Sequence, residues 1–275
     1  MQAVGKLKEL DQFALKKGRQ SIAQVAVLLD EDTIPHISNN SKMAMGRLRR
    51  MLGHHMDSAG APWDCYLFSD IDRIDFSKYK LVILANSYIL NDSKVRDIKK
   101  YLYNSDRTVL YLYQPGQVDD TPGEKNSHAY QLTGMNFSAA NLVEELDFHP
   151  AWIAFGDGVQ ALRKFSNKQT AIARKAFPSY RVCFTSTTGL DAKALALIYK
   201  NAGVHCYAQP GDLLFACGNF LGIYSRDGGE RTINLSQEVD VVRDVWDNSV
   251  IDTKTSQFML HLPDKPSCTI LYVGH

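Results

Sequence analysis

The sequence predicts an α/β chain in which a doubly wound, mainly parallel sheet is followed by a small antiparallel β-sandwich. Two observations carry that prediction. Before residue 210, apolar strand-like runs alternate with helical patterns. After Asp212 the helical signal stops and short, turn-punctuated strands continue to the end. A chain of 275 residues is long enough for one large domain or two modest ones.

The elements follow in order. Residues 3–17 read as a helix with Val4, Leu7, Leu10, Ala14 and Leu15 near one face, so residues 1–20 are expected to form an N-terminal linker. QVAVLLD (24–30) is almost continuously apolar, as a strand covered on both faces should be. Residues 41–60 read as a helix stopped by Gly60 and Pro62. WDCYLFSD (63–70), KLVILAN (80–86) and RTVLYLYQPG (107–116) are strand runs, with a helix from Asp92 to about Tyr103. Residues 138–148 read as a short helix, and 151–155, 170–177 and 181–187 as strands. Residues 191–203 form a helix, with Asp191 suited to the N-cap and Gly203 to the position past the end. VHCYA (204–208) returns as a strand, which closes a domain over 21–209 and leaves 210–275 for the β-domain. Its turns are Asp227-Gly228-Gly229, Asp247-Asn248-Ser249 and Pro263-Asp264-Lys265-Pro266.

Composition removes several function classes. The chain carries 31 basic against 30 acidic side chains, a net charge of +1, so the electrostatic case for nucleic-acid or polybasic membrane binding is missing. No apolar run approaches the roughly 20 residues that span a bilayer. The N-terminus has no uninterrupted apolar stretch of signal-peptide type, which points to the cytoplasm. Five widely spaced cysteines set in apolar strands read as buried thiols of a reducing compartment, with no disulfide framework and no metal site.

Ligands of doubly wound sheets gather beyond the carboxyl ends of the strands. Those ends here read Asp30-Glu31-Asp32, Asn86-Ser87-Tyr88, Gln114-Pro115-Gly116-Gln117 and His205, a polar rim able to hold a small ligand. The competing reading is that strand-end loops are polar because they are exposed. Gly156-Asp157-Gly158-Val159-Gln160-Ala161 fits a dinucleotide fingerprint on paper, but no acidic residue follows at the required distance, and a turn into a helix is expected instead. His54 and His55 are adjacent, so on a helix they diverge by about 100° and cannot share one metal ion. Trp63, Trp152 and Trp246 sit in or beside apolar runs, and core packing is expected for all three. No cofactor is expected.

Several stretches together resemble one family arrangement: VAVLLDEDT, SAGAPWDCYLFSDIDRIDFSKYKLVILANSYILND, TVLYLYQPGQVD, QLTGMN, LDAKALALIYKNAGVHCYAQPGDLLFACGNFLGIYSRDGGERTINL and the final LYVG. The ordered set is similar to the region that follows the catalytic barrel in glycoside hydrolase family 42 β-galactosidases. There a trimerisation domain of class I glutamine-amidotransferase-like fold precedes a small C-terminal β-domain. The resemblance implies an amidotransferase-like turn after TVLYLY, where those enzymes carry a nucleophilic cysteine. This chain has Leu112-Tyr113-Gln114-Pro115-Gly116 there, without a thiol, and His205 near the old histidine position has nothing to activate. Nor is there room for a TIM barrel of about 250 residues to carry paired glutamates.

The resemblance therefore implies a non-catalytic accessory region with no catalytic residues of its own. Its expected partners are other copies, as a homo-oligomer and by analogy a trimer, a TIM-barrel catalytic domain, and a carbohydrate. Met45 and Met56 on helix 41–60, and Trp152, are the candidate interface residues. Two rivals are a sugar- or small-molecule-binding module using Asp30, Glu31, Asp32, Asn86, Ser87, Gln114, Gly116, Gln117 and His205, and a hydrolase with unrecognised chemistry at that rim.

Overall fold

The computed structural model describes residues 20–36, 42–113, 115–116, 118–119, 127–140 and 151–274, with Gly5, Lys8, Asp11 and Gln12 ahead of them. Those four are helical, and the apolar face expected over 3–17 lies outside the described residues. The chain forms two compact units. One comprises Val25–Leu52 and Asp64–Asp191; the other comprises Gly53–Trp63, Ala192–His275 and the described part of Met1–Gln24.

The first unit is built on β1 (Val25–Leu29), β2 (Trp63–Leu67), β3 (Leu81–Leu84), β5 (Arg107–Leu112), β9 (Gln160–Lys164), β10 (Thr170–Ala176) and β11 (Tyr180–Thr185), ordered β2-β1-β3-β5-β11-β10-β9. The strands β1, β3, β5 and β11 run parallel, and β10 and β9 extend the sheet antiparallel. Every residue of Leu81–Leu84 and Arg107–Leu112 is buried, which is why these strands read as unbroken apolar runs rather than alternating ones. Short pairs flank the sheet: β4 (Ile89–Leu90) with β6 (Val118–Asp119), and β7 (Asn136–Ala140) with β8 (Ala151–Phe155).

The helices of this unit are α1 (Lys42–Arg50), α2 (Asp92–Leu102) and α3 (Ser127–Thr133). Past α1 the chain widens into one π-type turn, Met51–His55. Asn91 caps α2 by accepting from the Lys94 N–H at 2.9 Å, and Val95, Ile98 and Leu102 turn inward from it. At the opening of β5, buried Arg107 donates to the carbonyls of Phe76, Tyr79, Tyr101 and Leu102 and to Asn104 Oδ1, all within 3.2 Å. It ties loose chain ends together at the amino edge of the sheet.

The second unit holds α4 (Ala192–Ala202) and the strands β12 (Leu213–Cys217), β13 (Phe220–Ser225), β14 (Gly229–Asp244), β15 (Val250–Leu262) and β16 (Ser267–Gly274). Gly203, at φ +72°, ends α4 in the left-handed conformation expected of it. The hydrogen bonds make one antiparallel sheet, β12-β13-β16-β14-β15, where the sequence predicts two. The reason lies in β14. Its register breaks between Asn234 and Val239, so its first half pairs with β15 alone and its second half with both β15 and β16. Ile233, Phe258 and Leu260 thereby join Leu214, Leu221, Ile223 and Leu271 in a single core.

Three local expectations change. Residues 204–208 are not a strand; the Tyr207 N–H donates to the Gly60 carbonyl and its own carbonyl accepts from Asn234, partners that lie on no common ladder. The Gly156–Gly158 segment turns from β8 into the strand β9 rather than into a helix, with both glycines at positive φ. Of the helix expected over 138–148, residues 138–140 belong instead to β7, and 141–148 lie outside the described residues.

Candidate functional site

At β1 the order β2-β1-β3 reverses the winding of the sheet, the place where such sheets open a crevice. Asp30 follows β1 and Asn86 follows β3. The Asp30 N–H donates to Asn86 Oδ1 and Asn86 Nδ2 donates to the Asp30 carbonyl, both at 2.8 Å. This reciprocal pair continues the parallel ladder one step beyond the strands. The Asp30 carboxylate, 2% exposed, receives Lys94 Nζ at 2.8 Å on each oxygen, Thr33 Oγ1 at 3.2 Å and the Asp32 N–H at 3.2 Å. Lys94 also meets Asp32 Oδ2 at 3.1 Å and lies 5.6 Å from the Phe68 ring centre.

Four donor contacts occupy the acceptor positions of Asp30, so this carboxylate is a structural anchor. No local pattern in the sequence singles out Lys94. Its one signal is a cation in the first turn of α2, where the helix dipole disfavours positive charge and an anion must compensate. The neighbouring Glu31 titrates below the ordinary glutamate value. Partial burial pushes it up, but hydrogen bonds from the Ser69 hydroxyl and from backbone N–H groups outweigh that effect.

Next along the rim, Ser87 is 4% exposed and its Oγ has no partner, while its carbonyl accepts from the Gly116 N–H at 3.0 Å. The Tyr88 hydroxyl is also buried without a partner, and burial holds its pKa well above the usual tyrosine value. Tyr88 meets Tyr113 edge to face, with ring centres 6.1 Å apart. Tyr113 stands at φ +65° on the turn after β5, a position rare for a bulky side chain. Gln114 and Gln117 lie outside the described residues. The structure thus gathers Asp30 and Asp32 on Lys94, joins Asn86 to the Asp30 backbone, and sets Ser87 beside Gly116.

His205 belongs to the other unit. Its Nε2 lies 2.9 Å from the Asn234 carbonyl, its backbone N–H donates to Gln24 Oε1, and its ring meets Tyr207 edge to face. Met56 is fully buried and receives the Tyr199 hydroxyl on its sulfur at 3.6 Å, which makes it a core residue of that unit. Met45 and Trp152 are half-buried, and the Trp152 Nε1 has no partner. The cysteines are all free, but Cys65, Cys217 and Cys268 are exposed, because they sit on an edge strand or on the outward face of a sheet rather than between layers. Only Cys183 is fully buried, and its thiol is pushed up to about 12 by desolvation. Among the described residues no group of three His, Cys, Asp or Glu side chains can hold a metal ion, and no helix is long and apolar enough to cross a membrane.

No protein-family model matches the chain and no curated protein resembles it in sequence. Solved structures do resemble it in fold. A β-galactosidase from Bacillus circulans sp. alkalophilus superposes with a TM-score of 0.67 at 15% identity, over 93% of this chain and 42% of that one. A β-galactosidase from the psychrophilic Marinomonas ef1 gives 0.64 at 14% identity, over 98% and 41%. Gan42B, a family 42 (GH42) β-galactosidase, gives 0.63 at 14% identity, over 90% and 40%. The chain therefore spans about two fifths of the length of each.

Proposed function

We propose that this chain is the non-catalytic accessory region of a family 42-type β-galactosidase-like protein, and that it holds copies of that protein together. In this reading the parallel-sheet unit is the amidotransferase-like trimerisation part and the antiparallel sheet is the C-terminal β-domain. The supporting observation is the asymmetry of the match: nearly all of this chain superposes on well under half of each β-galactosidase. A part that size leaves the larger share of such an enzyme to a partner catalytic domain.

The site geometry favours the same reading over a hydrolase. Asp30 is saturated by its own chain, and His205 uses Nε2 on a backbone carbonyl. Light scattering of the purified chain at high concentration tests the proposal. A stable oligomer is expected, with a trimer as the form the resemblance implies, and a strict monomer would overturn it. A chromogenic galactoside should not turn over. Turnover that His205→Ala or Glu31→Gln abolished would replace the accessory reading with an enzymatic one.

A further inference from the structure

The outer face of the antiparallel sheet is built around a missing side chain. The registers Leu213–Tyr224–Cys268, Phe215–Gly222–Ile270 and Cys217–Phe220–Tyr272 place nine residues of β12, β13 and β16 on one face, with Gly222 at its centre. Their alternates Leu214, Leu221, Ile223 and Leu271 fill the core on the other side. The gap above Gly222 is a concavity of about 450 Å³ bordered by Trp63, Phe215, Phe220, Tyr224 and Ile270. That volume lies within the usual range for small-molecule sites.

The rim is held in place. Trp63 Nε1 donates to Asp57 Oδ1 at 2.8 Å, and the Asp57 carbonyl accepts from the Leu214 N–H at 2.8 Å, so the indole is anchored to β12. Phe215 is 54% exposed, an aromatic ring left facing water. Asp57 is the one charged group among the described lining residues. An anion would face that carboxylate with no counter-charge, and a purely aliphatic occupant would desolvate it without offering a hydrogen bond. A ring with an apolar face and a hydroxylated edge meets both conditions: its C–H face lies on the aromatic rings and one hydroxyl donates to Asp57.

The geometry points to a binding site for one neutral pyranose unit on this face, separate from the strand-end rim. Titration calorimetry of the full chain with methyl β-D-galactopyranoside and methyl β-D-glucopyranoside tests it. Saturable binding with a Kd of about 1 mM is expected for a shallow site with few polar contacts. Gly222→Val is the decisive variant. Position 222 is not in the left-handed region, and an added Cβ would meet Phe215 only at 3.8 Å. A β-branched residue suits a strand, so the fold is kept while the concavity fills. Binding should weaken at least about tenfold, the same loss being expected from Phe215→Ser, with melting temperatures close to the parent's. Absence of saturable heat up to about 100 mM of either glycoside would overturn the assignment. So would binding unchanged in both variants, or benzylammonium binding where the glycosides do not. If Gly222→Val instead lowers the oligomer mass in light scattering, the face is covered by a second copy and the sugar site is wrong. The oligomer mass of the parent chain, read separately, decides the accessory role.

Discussion

Lys94 shows how a single side chain can be decisive and yet hidden in the sequence. Its partner Asp30 is 64 residues away, so no local pattern links them, although the ends of β1 and β3 were legible from their apolar runs. Replacing Lys94 with Met leaves a buried carboxylate unpaired and should cost about 3–5 kcal/mol in urea unfolding. Asp32→Asn removes only the 70%-exposed partner and should cost under about 1 kcal/mol. Glu31, with its lowered pKa, contributes stability that is present above the ordinary glutamate value and is lost as pH falls through the lower folded value; Glu31→Gln should flatten that part of an acid-stability curve. The thiols separate by environment. At pH 8 a thiol near 12 is ionised in about one molecule in ten thousand. Iodoacetamide should therefore label Cys217 and Cys268 readily and leave Cys183 untouched until the chain unfolds, as peptide mass spectrometry would show.

At the scale of elements, strands with continuous apolar runs and helices with clear ends could be read directly: β1, β3, β5, α2 and α4 lie where periodicity and capping place them. Elements defined by distant partners could not. VHCYA has the composition of a strand, but its backbone is taken by Gly60 and Asn234, neither predictable from its neighbours. Gly60 was legible as a stop signal, though not for its full reason. It stands at φ +91°, and an added Cβ would lie 2.1 Å from the Ala208 carbonyl oxygen. Gly60→Ala combines backbone strain with a clash against main chain and should lower stability by about 2 kcal/mol or more, measurable as a shift in thermal midpoint. Trp63 illustrates the opposite error. Its apolar neighbours suggested core, yet it stands half-buried at the edge of a concave face.

For the whole molecule, the change from alternating helices and strands to strands alone was visible in the sequence, while the interleaving of the two units was not. The backbone of Asp57, Ser58 and Gly60 accepts from Leu214, Gly211 and Tyr207, and Tyr207 sits in the core with Leu221 and Leu271. A fragment of residues 210–275 lacks all of these partners. It should be unfolded or aggregated by circular dichroism, whereas the full chain should show a cooperative transition; a well-dispersed amide spectrum from the fragment would refute this.

The interleaving also sets an order of events during synthesis. Gly53–Trp63 leaves the ribosome before the strands it serves, which are made only after the whole of Asp64–Asp191. Contacts between such distant stretches form late, because a long loop must close before they gain anything. Until β12 to β16 are made, Trp63 and its neighbours wait without their sheet. The nascent chain is most open to holdase chaperones and to misassembly during that interval, and a ribosome stalled before β12 would hold a half-finished second unit.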